Sequence, residues 1–228
     1  MEIQNDLYNQ KLRFLPLTEQ ACNLIKEVIL QGKYNPNQKL NEVDLSNSLG
    51  ISRGPIREAF QRLAYEGLVK LVPNKGAFIV DFSIQDIDEI YEVREDIEVL
   101  AIRLAIERSN ENDFRKLSEL LINVERIIEK NQYTYYPWDS DYHTLIAGLT
   151  KNKKIEEIIK KLNVQTLLIR YTSGRQHGRA IEAFKEHYQI YEALCARDSE
   201  KGQHLMLEHI RKSKENIKNY FAKQRKVS

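Results

Sequence analysis

The sequence is poor in tryptophan, cysteine, methionine and proline, with one, two, two and five among 228 residues. Cys22 and Cys195 lie too far apart in the chain to suggest a disulfide framework or a thiolate metal knuckle, which points to a reducing compartment. No apolar tract reaches eighteen residues, so no membrane-spanning helix is expected. The opening stretch MEIQNDLYNQKLRF carries acids and no apolar h-region, which argues against a secretory signal and for a cytoplasmic protein. Internal repeats and low-complexity tracts are missing as well. Net charge is only +2, so any binding to nucleic acid has to come from local placement of Lys and Arg. What the chain does have is 42% hydrophobic and 30% charged residues, enough for a sizeable core in one or two domains.

The pattern changes near Asp81 to Ser83, which divides the chain into 1–81 and 82–228. Up to Val80, ten Lys or Arg stand against eight Asp or Glu, so charge alone says nothing about DNA there. From Thr18, the residues Ala21, Leu24, Ile25, Val28 and Ile29 share one helical face, with Gly32 as a stop. Leu40, Val43, Leu45 and Leu49 mark a second, short helix ending at Gly50. Ser52 is placed to cap a third, with Pro55 in its first turn and Gly67 past its end. LVKLVPNKGAFIV reads as two short strands around Pro73-Asn74-Lys75-Gly76. This order predicts a winged helix-turn-helix. In the third helix Ile56, Phe60 and Leu63 form the buried stripe, while Arg53, Arg57 and Gln61 recur on another face. Two arginines one turn apart at the start of such a helix can reach guanine edges or phosphates, and Lys75 at the hairpin tip can follow a neighbouring groove.

Residues 82–228 read as an antiparallel helical bundle. Ser83 and Asp86 cap a long helix whose stripe runs Ile87, Ile90, Tyr91, Ile97, Ala101, Leu104. Arg94 falls inside that stripe and needs a partner: an internal acid such as Glu98, or an anionic ligand in a cavity. Asp139 and His143 share a face with Tyr142 and Ile146, while Asp141 points elsewhere. His187 lies in the stripe Ala183, Phe184, Ile190, Tyr191, Leu194, and His209 on the inward face of the last helix. His177 and His204 are expected to be non-ligands. One carboxylate and three imidazoles converging inside a bundle are ligands for a divalent transition metal, Zn first, with Ni, Mn or Fe also accepting such a set. A metalloenzyme would need a general base beside the metal, but the chain has no HExxH, and Glu186 is expected to point off the His187 face.

The segment LNEVDLSNSLGISRGPIREAFQRLAYEGLVKLVPNKGAFIV resembles the DNA-binding domain of the GntR family of bacterial regulators. EVREDIEVLAIRLA, DSDYHTLIAGLTKNKKI, KEHYQIYEALCARD and LMLEHI resemble the FadR-like, FCD-type effector domain. The resemblance implies a homodimer on palindromic operator double-stranded DNA, controlled by a small metabolite. It places metal ligands on Asp139, His143, His187 and His209, base-reading arginines on Arg53 and Arg57, and the wing glycine on Gly76. Ser52, Gly54 and Lys75 complete the candidate DNA contacts. Val43 and Asn74 replace residues that are basic in some members, so fewer phosphate contacts are expected. The function expected is a repressor switched by a small carboxylate held by the metal and Arg94. The alternative is a regulator in which the metal is structural or is itself the signal.

Overall fold

A computed structural model describes the backbone of residues 15–129, 137–172 and 177–224 and the side chains of 15–128, 141–171 and 179–222. The fold is largely helical with one small antiparallel sheet, a winged helix-turn-helix followed by a helical bundle.

The head begins with α1, Leu17–Leu30, which buries Ala21, Cys22, Ile25 and Ile29. Leu24, expected on that face, is exposed, and the buried stripe passes through Cys22 instead. Gly32 takes a left-handed φ of 73° just beyond the helix end, as its place in the sequence suggested. The next element differs from expectation. Leu40 does not belong to a helix: Lys39–Leu40 is a strand, β1, and the helix α2 covers only Glu42–Leu49. Asn41 is its N-cap, its side chain accepting from Val43 N at 2.9 Å, and this starts the helix too late to include Leu40. Val43 is consequently 47% exposed. Helix α3, Arg53–Tyr65, buries Ile56, Ala59, Phe60 and Leu63. Ser52 occupies its N-cap by backbone, but its side chain makes no capping bond. β2, Val69–Val72, and β3, Gly76–Ile79, form the hairpin, and β1 adds a third strand in the order β1-β3-β2.

The bundle opens with α4, Ile84–Arg108, started by a reciprocal capping box between Ser83 and Asp86. A single 3-10 turn, Glu111–Phe114, leads into α5, Arg115–Glu129. Then follow α6 (Pro137–Leu149), α7 (Lys153–Thr172), α8 (His177–Cys195) and α9 (Ser199–Gln224). Helix α9 lies along α4, and Ile87, Tyr91, Tyr142, Ile146, Ile190, Met206 and Ile210 belong to their common core.

Helix α7 serves both parts. Ile155, Ile159 and Ile169 belong to the bundle core, whereas Leu167 and Leu168 are buried in the core of the head with Ile25, Ile56, Phe60 and Leu68. Covering a leucine this completely is worth about 1.5–3 kcal/mol. The seam is close. A Cβ on Gly32 would stand 2.8 Å from the Tyr171 ring, and one on Gly67 would collide with the Gln165 side chain. Both glycines also have positive φ; at Gly32 backbone and packing demand the same residue, while at Gly67 the Gln165 side chain can swing aside and the backbone decides.

Candidate metal centre and DNA-reading head

His143 on α6, His187 on α8 and His209 on α9 meet inside the bundle, all three buried. Nε2 of His209 lies 3.3 Å from Nε2 of His143 and 3.3 Å from Nε2 of His187. The ligand atoms of all three fall within 4.8 Å of one another. Two nitrogens bound to one tetrahedral zinc at about 2.0–2.1 Å stand roughly 3.3 Å apart, so the spacing fits the ion.

The outward ring atoms explain why the Nε2 atoms point inward. Glu98 Oε2 contacts Nδ1 of His143, and Glu186 Oε2 lies 2.7 Å from Nδ1 of His209. A carboxylate only accepts, so both contacts assign the proton to Nδ1 and the lone pair to Nε2. Facing lone pairs repel unless a positive centre lies between them, and the donor set therefore suits a cation. His187 is set differently. The Tyr142 ring stacks on it at 4.1 Å, and Tyr142 Oη donates to its carbonyl oxygen at 2.8 Å.

Both carboxylates are held ionised. Burial alone would push the Glu98 pKa up, but the Arg94 guanidinium and His143 outweigh it and hold it at about 2. Burial likewise acts against ionised Glu186, and its bonds to His209 and Arg179 bring it down to about 2. Arg179 Nη2 donates to Glu186 at 2.7 Å, and Lys212 stands 3.6 Å from its other oxygen.

Of the two partners open to Arg94, the structure supplies the internal acid. Arg94 is fully buried; its Nε donates to Glu98 Oε1 at 2.7 Å and its Nη1 to Thr166 Oγ1 on α7 at 3.3 Å. The Tyr91 ring lies 5.0 Å from its guanidinium carbon, and Tyr91 Oη is 2.9 Å from Ser213 Oγ. Arg170 Nη2 donates to the same Ser213 oxygen at 3.0 Å. The side chain of Asp139 lies outside the described residues, as does that of His177. His204 is exposed, 3.7 Å from Glu208, and takes no part in the centre. Glu186 does leave the face of His187, as expected, but it lands on His209 of the neighbouring helix, a role the sequence reading missed.

In the head, Ser52, Arg53, Gly54 and Arg57 are all exposed at the start of α3. Arg57 Nε donates to Glu42 Oε2 at 2.8 Å, an acid in the first turn of α2. Gly54 has open space around it, with nothing within 4 Å of a Cβ placed there. Lys75 and Gly76 sit at the hairpin turn, where Asn74 and Gly76 take φ of 60° and 100°.

Comparison with known families accounts for both parts. The profile described as "Bacterial regulatory proteins, gntR family" matches residues 17–79, and the FCD domain matches residues 89–212. The chain belongs to the GntR family. It is a DNA-binding regulator with an FCD-type helical domain and a candidate histidine metal centre. Among its relatives is the HTH-type transcriptional regulator YdhC of Bacillus subtilis, 28% identical over 90% of this chain and 92% of that protein. The HTH-type transcriptional repressor RspR of Escherichia coli is 24% identical over 89% and 90% of the two chains. The solved structure of E. coli McbR/YncC shares the fold, with a TM-score of 0.78 over 92% of this chain and all of that one at 23% identity. YdhC and RspR both carry the names of HTH-type transcription regulators, and the present GntR protein is likewise read as a regulator and not an enzyme. Among the described residues, no helix is long and apolar enough to cross a membrane.

Proposed function

We propose that this GntR protein is a metal-responsive repressor of the FadR subfamily. It would act as a cytoplasmic homodimer on palindromic DNA, through a reading head of residues 1–81 and a sensor bundle of residues 82–228. One observation carries the metal part: two imidazoles with Nδ1 bound to carboxylates turn their Nε2 lone pairs toward each other and toward a third ring. His143, His187 and His209 would hold the ion, with Asp139 as fourth ligand. Zinc is the first candidate, since the nitrogen spacing matches its tetrahedral radius, and Ni, Mn and Fe accept the same donors. When bound, the ion supplies a positive charge that three neutral imidazoles and one carboxylate leave partly uncancelled. Repression follows the name of RspR, a transcriptional repressor.

Arg53 and Arg57 read bases in each half-site, with Ser52, Gly54, Lys75 and Gly76 along the backbone. Side chains of this chain connect the bundle to the head. Glu98 bridges His143 and Arg94, and Arg94 reaches Thr166. The next two residues of α7, Leu167 and Leu168, lie in the core of the head. A change in the His143 ring position is therefore passed to the helix on which the reading domain rests. A coupling of about 1–3 kcal/mol changes operator affinity roughly 5–150-fold.

A small carboxylate is the second reading, favoured where the ion takes five or six ligands, since four protein donors then leave one or two positions to an outside oxygen. It ranks lower because Arg94, its expected anchor, is already matched by Glu98. Operator affinity measured on metal-stripped protein, then with zinc, then with mono- and dicarboxylates at fixed zinc, tests the order. We expect the step to come with the metal. A raised melting temperature with unchanged affinity would make the metal purely structural, and a step only on adding acid would make the acid the signal.

A further inference from the structure

We propose that Lys39 and Lys70 join Lys75 in a clamp for DNA phosphates on the outer face of the wing sheet, a role that rests on the reading of the head as the DNA-binding part. Lys39 of β1 and Lys70 of β2 both pair with Phe78 of the central strand β3. Residues opposite one another across a sheet project to the same face. The neighbouring row, Leu40 and Ala77, is buried in the head, so the row Lys39–Phe78–Lys70 faces outward. Phe78 between them is half-buried and both lysines are exposed.

Lys39 also leans toward the turn. Its Cε lies 3.5 Å from the point a Cβ on Gly76 would occupy, so its stem crosses the wing glycine next to Lys75. Three residues further on, Glu42 holds Arg57. Lys39 thus stands between the hairpin turn and the base-reading helix. The outer lysines are two strand spacings apart, roughly 9.5 Å, far enough to engage separate phosphates.

The charge is uncompensated. No Asp or Glu occurs from Gly67 through Val80, and none of the three lysines forms an ion pair among the described residues. Lys26, elsewhere on the head, is matched by Glu66 at 2.6 Å. A row of solvated ammonium groups beside a groove-reading helix fits a polyanion. β1 thereby adds a cation to a head where Val43 on α2 and Asn74 in the wing had suggested fewer phosphate contacts.

The test is the salt dependence of binding to a duplex selected from random sequence by the wild-type protein. Each phosphate contact contributes about 0.9 to the slope of log affinity against log salt. The Lys39→Gln/Lys70→Gln variant loses four contacts in a dimer, so the slope should fall in magnitude by about 3.6. Base ranking at every position should be unchanged, and Lys39→Arg/Lys70→Arg should restore the slope. A Gln variant with the wild-type slope, or with altered base ranking, overturns the clamp. If the wild type itself selects no duplex, the reading of the head fails instead.

Discussion

In the head, Arg53, Arg57 and the wing lysines stand in solvent, Arg57 braced by one acid; in the bundle, the three histidines, Glu98 and Arg94 are sealed from water. The difference fits the size of what each part is proposed to meet. A duplex has to be approached from outside by long side chains whose attraction is screened beyond about 8–10 Å at ordinary salt. A small cation is best held by groups already stripped of water, with protonation and ring orientation set beforehand by carboxylates. Salt should therefore report on the head, and stability and metal affinity on the bundle.

Four substitutions press on that contrast. The largest effect is expected from Glu98→Ala, which leaves the guanidinium of Arg94 buried without its acid. Breaking such a pair costs about 3–5 kcal/mol, and for a chain of this size that lowers the melting temperature by roughly 6–20 °C. A fall under about 3 °C would mean that water reaches Arg94 and that the bundle site is less sealed than described. Leu168→Ala should cost about 2–5 kcal/mol, although it lies outside the reading domain in sequence. Hydrogen exchange should then quicken in α1 and α3 as well as α7; exchange confined to α7 would show that the two cores do not share it. Glu186→Gln should weaken zinc binding 10–100-fold by calorimetry, about 1.4–2.7 kcal/mol, while leaving the salt slope of DNA binding alone. The smallest effect belongs to Ser52→Ala. Its hydroxyl makes no capping bond, so stability should stay within about 0.5 kcal/mol, and any loss should appear only in operator affinity.

The helices of the bundle were legible because each has a 3.6-residue apolar rhythm, and the three metal-centre histidines because each sits within such a stripe. Arg94 stood out for the same reason, as a charge among apolar neighbours. Glu186 could not be found this way. It lies beside the stripe of its own helix and acts across to His209, a relation that depends on how α8 and α9 are placed side by side. The strand β1 was missed because two residues carry no alternation, and Leu40 matched the spacing of the helix after it; the Asn41 cap decided between them. Leu167 and Leu168 looked like ordinary bundle residues, since nothing in a single sequence says which of two cores a leucine enters.

Because α7 fills part of the space beneath α1 and α3, the head is not a detachable module. A fragment ending near Val80 would expose the hollow that Leu167 and Leu168 occupy, next to Ile25, Phe60 and Leu68. Engineers who graft this operator-binding part onto a different sensor would have to transplant the supporting helix surface too, or recarve the recipient so that Gly32 and Gly67 still find a matching seat.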